Sequence, residues 1–227
     1  MTIEELIAKY QNVYHMAEDG SWPNIKKHGL LSTSALLDKW EYTGREREEI
    51  ECKHRPNKVC IYHKEYGKAV IRDQKAIQPE RLRKCLPKDI TVEEWCEFIN
   101  KRVFFWADWT GLKILLSANE YIHKPHLVIT VNTRQLLQRY ESKVALSPFN
   151  TGSTFAKKGK IDPEPRSFTT FQRISEYSYP WISELAVDYG VPDVVDFTIC
   201  AARYRANRRG YENEPEKLED IWQQKTP

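Results

Sequence analysis

No apolar run in these 227 residues approaches the roughly 20 that a membrane-spanning helix needs; the longest, such as residues 126–131, are strand-sized. A secretory leader is also missing. Residues 1–10, MTIEELIAKY, form an amphipathic stretch with acids near its start, not a basic region followed by an apolar one. Cysteine is sparse: five residues, an odd number at irregular spacing, exclude a disulfide framework and point to a reducing cytoplasm. No GxGxxG turn and no regular βαβ rhythm occur, which argues against a doubly wound nucleotide-binding fold. Internal repeats and low-complexity tracts are absent. An excess of one charge is nearly absent too. The formal net charge of +3 permits a nucleic-acid partner without demanding one.

What is present is an ordinary globular composition, 41% hydrophobic and 30% charged, long enough for a substantial core. Seven Trp and 12 Tyr must largely be core, yet such rings also make platforms for bases and nicotinamide. The pattern predicts helices over residues 3–10, 23–29 (Ser21 as N-cap), 33–40 (capped by Thr33 or Ser34) and 44–52. Further helices are expected over 78–85, from a Thr91–Glu94 capping box to 100, over 109–121 and over 133–140. Strands are expected at 12–16, 59–62, 69–72, 102–108, 126–132, 143–147 and, last, 194–201, with a turn at 150–152, a polar loop at 153–167 and a short segment around Glu184 at 182–190. The fold class read from this interleaving is α+β: a strongly bent mixed β-sheet surrounded by helices, forming one domain over residues 1–202, with a charged tail at 203–227 that holds one possible helix.

Six constellations carry candidate chemistry. His15, between Tyr14 and Met16, ends an early strand. An isolated histidine is by default a core residue, but imidazole offers a donor and an acceptor to a vicinal diol. Alternation along 103–108 puts Phe104 and Trp106 on one face and Phe105 and Ala107 on the other; core packing explains most of these rings, and one could lie flat on a nicotinamide. Glu184 is a lone acid in an apolar run; it is either an edge residue in water or, if buried in a cleft, a working carboxylate. Arg72 reads as a surface ion-pair residue whose guanidinium would also suit a diphosphate. Cys52, His54, Cys60 and His63 use zinc-ligand residue types in a non-standard spacing, about one chance in ten of a metal site. Arg203, Arg205, Arg208 and Arg209 flank Tyr204, a solvated tail or a phosphate-binding patch.

The order of these pieces resembles a known family. VYHMAEDGSWPNIKKHGLLS, RVFFWADWTGLKILL, HLVITVNT with the Asn150-Thr151-Gly152 turn, and WISELAVDYGVPDVVDFTI are similar to successive blocks of the DarT-type DNA ADP-ribosyltransferases, over about residues 13–201. The resemblance implies the ADP-ribosyltransferase fold and NAD as co-substrate. It implies Glu184 and Arg72 as catalytic residues, with Arg81 in reserve because the spacing there departs from the family. It assigns NAD binding to His15, Tyr14, Met16, Ser32, Phe105 and Asn150, and choice of target to the 153–167 loop. The expected acceptor is nucleic acid, single-stranded DNA first, and the expected protein partner is an antitoxin. Two other readings stay open: a catalytically silent module binding NAD or nucleic acid, and an RNA 2′-phosphotransferase. A zinc-supported interaction domain is remote.

Overall fold

The computed structural model describes residues 1–155, 162–210 and 212–224. Helix α1 (Ile3–Lys9) opens on a capping box in which Thr2 accepts from the Glu5 amide and Glu5 accepts from the Thr2 amide. Strand β1 (Asn12–Glu18) leads to α2 (Trp22–His28), where Pro23 sits in the first turn but Ser21 makes no side-chain capping bond. Gly29, at φ +86°, turns the chain into the short strand β2 (Leu30–Leu31). Helix α3 (Thr33–Lys39) is capped by Ser32, one residue before the expected position. Helix α4 (Gly44–Glu51) precedes a hairpin of β3 (Val59–His63) and β4 (Gly67–Ile71), then α5 (Pro79–Cys85). Helix α6 (Val92–Asn100) starts at the expected Thr91–Glu94 capping box. The aromatic strand β5 (Arg102–Trp106) runs into α7 (Trp109–Leu116), which Asp108 caps through the Gly111 amide. Strand β6 (His126–Asn132), helix α8 (Thr133–Tyr140) and strands β7 (Val144–Ser147) and β8 (Gln172–Arg173) follow. The chain finishes with β9 (Glu184–Asp188), β10 (Gly190–Val191), β11 (Thr198–Arg205) and β12 (Glu216–Gln223).

The architecture is α+β, with one large sheet in the order β12-β11-β6-β1-β5-β9-β7-β8. Every pairing described in that sheet is antiparallel, so the expected mixed sheet is corrected. The expected tail is corrected as well. Residues 216–223 pair with β11 and close the sheet edge, and residues 203–205 belong to β11 itself. The expected last strand at 194–201 begins instead as a single 3-10 turn, Val194–Phe197, before β11.

Burial divides between the two faces. On one face α1, α2 and α8 cover the middle of the sheet, with Leu6, Val13, Trp22, Phe105, Ile129, Leu136 and Val187 in one cluster. The other face carries two separate clusters. Helices α5 and α6 pack over β5, β7 and β9 through Leu82, Trp95, Ile99, Ala145 and Ala186. Helix α7 packs over β1 and β6 through Met16, Leu112, Leu116 and Val128. A fourth cluster joins α3 and α4 to the β3–β4 hairpin around Leu37, Trp40, Ile61 and Ile71. The second face is thus not sealed between α6 and α7, and that is where the cleft lies.

Candidate active site

The cleft begins as a fork in the sheet. Strand β1 is bonded to β6 along all seven of its residues, and β5 to β9 along all five, but β1 and β5 meet at one register pair, Tyr14↔Trp106. Beyond that pair the two strands part. His15 bridges the gap, its Nδ1 2.8 Å from the Phe104 carbonyl oxygen. A cleft of about 480 Å³ occupies the opening, lined by residues 15–19 of β1 and its turn, by Arg102, Val103, Phe104 and Trp106 of β5, and by Gly29 to Thr33. Ala69 to Gln74, from the end of β4 onward, close it from the side, and Asn150, Thr151, Gly152 and Glu184 form one end.

Glu184 reaches that end through register. Its Cα pairs with Trp106 on one side and Ser147 on the other, in the same row as Tyr14. At roughly 4.8 Å between strands, the backbones of Tyr14 and Glu184 lie about 10 Å apart in that row, and His15, the next residue of β1, lines the same cleft as Glu184. Glu184 is only 5% exposed. Its Oε2 accepts both the Thr151 amide (3.0 Å) and the Thr151 hydroxyl (2.6 Å). Burial pushes its carboxyl up to about 7, against the pull of the Thr151 bonds and the Arg166 charge. A buried acid poised near neutrality in a cleft is what proton transfer requires.

His15 is shifted the opposite way, down to about 4, chiefly by burial and partly by the Arg72 charge. It is therefore neutral at pH 7. The Phe104 carbonyl only accepts, so Nδ1 carries the hydrogen and Nε2 is left as an acceptor for a ligand hydroxyl.

The opposite wall is basic. Arg72 follows β4, donates from Nη1 to the Met16 carbonyl at 3.3 Å, and lies 4.7 Å from the centroid of the Tyr121 ring. The Tyr121 hydroxyl donates to Asp73 at 2.8 Å. Behind Arg72 stands Arg55, which is 6% exposed. Its guanidinium donates to the Arg72 carbonyl (3.2 Å), the Asn100 side-chain oxygen (2.9 Å) and the Ile50 carbonyl. Burial pulls the pKa of its guanidinium down to about 10. Arg55 escaped the sequence reading because its local context, CKHRPNK, is that of a solvated loop; nothing nearby in the chain announces the carbonyls that bury it.

The structure brings His15, Met16, Ser32, Arg72, Asn150 and Glu184 to one cleft. Ser32 does so while capping α3. Three expected residues lie elsewhere. Phe105 is fully buried in the core under α1 and α8, because strand alternation turns Phe104 and Trp106, not Phe105, to the cleft. Tyr14 turns to α7, edge-on to Trp109 at 5.4 Å. Arg81 projects from α5 over the ring of Phe155, outside the cleft.

The other constellations separate. Arg203 is bidentate to Asp19 and also pairs with Glu219, and Arg205 pairs with Glu216, so both serve the sheet edge and not a phosphate patch. Cys52, His54, Cys60 and His63 do not converge; His54 contacts the Gln74 carbonyl and His63 stacks on Tyr66. Among the described residues no three His, Cys, Asp or Glu side chains gather as a metal site. Part of the 153–167 loop, residues 156–161, lies outside the described residues.

No curated protein matches the chain at a significant level. A family model does, over residues 11–198, a span that runs from the strand carrying His15 past Glu184. The chain belongs to that family, the Family of unknown function (DUF7002).

Proposed function

We propose that the cleft binds NAD and that the protein is an ADP-ribosyltransferase acting on nucleic acid. The observation that carries this reading is the meeting of His15, Arg72 and Glu184, from three distant parts of the chain, around one cleft of about 480 Å³. The blocks that resemble the DarT-type enzymes supply β1 to Ser32, β5 with α7, the turn before Gly152, and β9, which are the cleft's own walls. Arg55 and Arg72 favour a phosphorylated ligand, since neither is engaged by a carboxylate in the described ion pairs.

The chemistry required is cleavage of the bond from C1′ of the ribose to the nicotinamide nitrogen. The bonding pair leaves with nicotinamide and the sugar becomes oxocarbenium-like. Glu184, as carboxylate, stabilises that positive charge and takes the proton of the incoming nucleophile. Nε2 of His15 accepts a ribose hydroxyl and fixes the sugar. Arg72 neutralises diphosphate charge. The flat indole of Trp106, beside Glu184, offers a stacking surface for the nicotinamide ring. Single-stranded DNA as the acceptor, the loop at 153–167 as its reader, and an antitoxin as protein partner follow from the family resemblance.

The test is incubation with NAD and single-stranded DNA or RNA, following nicotinamide release and acceptor mass. Wild-type protein is expected to release nicotinamide and add ADP-ribose to the acceptor. Glu184→Gln is expected to keep its circular dichroism and NAD binding while losing about 100-fold or more in rate. NAD left intact with every acceptor would make the protein a binding module, and a cyclic phosphate of ADP-ribose formed with 2′-phosphorylated RNA would make it a phosphotransferase.

A further inference from the structure

We propose that Arg166, which lies outside the cleft, is the positioning residue for Glu184. It clamps the turn whose Thr151 grips the carboxylate. This rests on the reading of Glu184 as catalytic.

The geometry is a relay of two contacts. Thr151 places its amide and its hydroxyl on the same oxygen of Glu184, at 3.0 and 2.6 Å. Two donors on one oxygen fix both the rotamer of the acid and the lone pairs left free for chemistry. The segment that carries Thr151 is held on one side through Pro148, whose carbonyl accepts from Ser183, and on the other through Thr154, bonded to Ala76 and Gln78. Arg166 holds the turn between these points. Its Nη1 donates to the Thr151 carbonyl (3.0 Å) and the Ser153 carbonyl (3.1 Å), and its Nε to the Glu164 carbonyl (3.3 Å). The Arg166 amide is itself bonded to the Cys85 carbonyl at the end of α5 (2.8 Å), and its guanidinium lies over the Phe149 ring at 5.4 Å. The side chain is 3% exposed. The guanidinium thus ties the Thr151 turn to the Glu164 arm, and the backbone of the same residue is bonded to the end of α5.

A buried arginine carries a desolvation cost, and burial does lower the pKa of this guanidinium. A hydrophobic side chain could fill the same space without that cost. What it could not do is hold two carbonyls of one turn at fixed angles, which the guanidinium fork does. The Arg166 charge also favours the ionised form of Glu184. Among the described residues, Cys85 and Glu164 act on Arg166 from beside it, and His15 and Arg72 stand on the cleft walls.

The experiment is a carbon-13 NMR titration of the Glu184 carboxyl in protein labelled at glutamate, with the signal assigned by its loss in Glu184→Gln. Titrations of the wild type, Arg166→Met, Arg166→Lys, Thr151→Val and Thr151→Ser are compared. Arg166→Met and Thr151→Val are expected to move the midpoint up by about one pH unit. Arg166→Lys keeps the charge but loses the fork, and is expected to move it by at least half as much. Thr151→Ser, which keeps the hydroxyl, is expected to match the wild type. The pH profile of nicotinamide release should move by the same amounts with KM for NAD unchanged. If Arg166→Met does not fold, Arg166→Lys decides. A wild-type midpoint in Arg166→Lys overturns the positioning role. Shifted midpoints in a protein that consumes no NAD leave the coupling standing and overturn the transferase reading instead.

Discussion

At the scale of single residues, the site holds an acid in a place that does not suit an anion. Burial raises Glu184 from the ordinary carboxyl range to about 7. In the unfolded chain it returns to about 4.3. The folded protein therefore binds this proton more tightly, and Glu184 contributes its full stability below about pH 4. That contribution is lost as pH rises through about 7. At one pKa unit per 1.36 kcal/mol, the rise from about 4.3 to about 7 makes the loss about 4 kcal/mol as an upper bound. Glutamine keeps the amide oxygen for Thr151 but carries no charge to desolvate. Glu184→Gln is expected to melt near the wild type at pH 4 and several degrees above it at pH 8, as scanning calorimetry would read. Rate should run the other way, climbing with pH through about 7 as the carboxylate forms. A melting difference that does not change with pH would mean that Glu184 is not buried as an acid.

At the scale of elements, the cleft depends on close approaches that a methyl group would spoil. A Cβ at Gly111 of α7 would stand 2.5 Å from the Trp106 ring. In an exposed helix Gly→Ala would stabilise by about 0.5–1 kcal/mol. Here the indole must move off the helix toward the cleft, and overpacking costs of about 1–3 kcal/mol outweigh that gain. Gly111→Ala is expected to lower the melting temperature, alter the near-ultraviolet dichroism of tryptophan and weaken NAD binding. Unchanged dichroism with a raised melting temperature would show that the indole is free of α7.

Most elements could be read from the chain because their signals are local. The capping box at Thr91 and Glu94 and the aromatic alternation of β5 each act within a few residues. What could not be read depends on distant partners. The assignment of Phe105 went to the wrong face because alternation gives two faces, and only the layers above and below decide which is core. Thr151 went unmarked beside Asn150, since its bond to Glu184 spans 33 residues of sequence. Strand β12, EKLEDIWQ, looks like a tail because it is an edge: charge replaces the apolar alternation that marks inner strands, and its acids answer Arg203 and Arg205.

At the scale of the whole molecule, that charged edge guards the sheet. β12 is paired on one side to β11 and carries Glu216, Lys217, Glu219 and Asp220 along its length. A chain ending at residue 206 would expose β11, whose Ala201 and Ala202 are buried, as a new and less charged edge. Such a truncation is expected to associate into dimers or larger species by light scattering, where the full chain does not. A monomeric, equally stable truncation would remove the protective role of β12.

The order of strands in the sheet has a consequence for biosynthesis. Strand β1 lies between β5 and β6, and Glu184 comes to it only through β9, on the far side of β5. During translation the first strand therefore waits for more than eighty residues before β5 exists and more than a hundred before β6, and Glu184 arrives later still. Contacts so distant along the polypeptide make for slow folding. They also mean that a ribosome-bound nascent chain has no complete cleft until β9 has emerged.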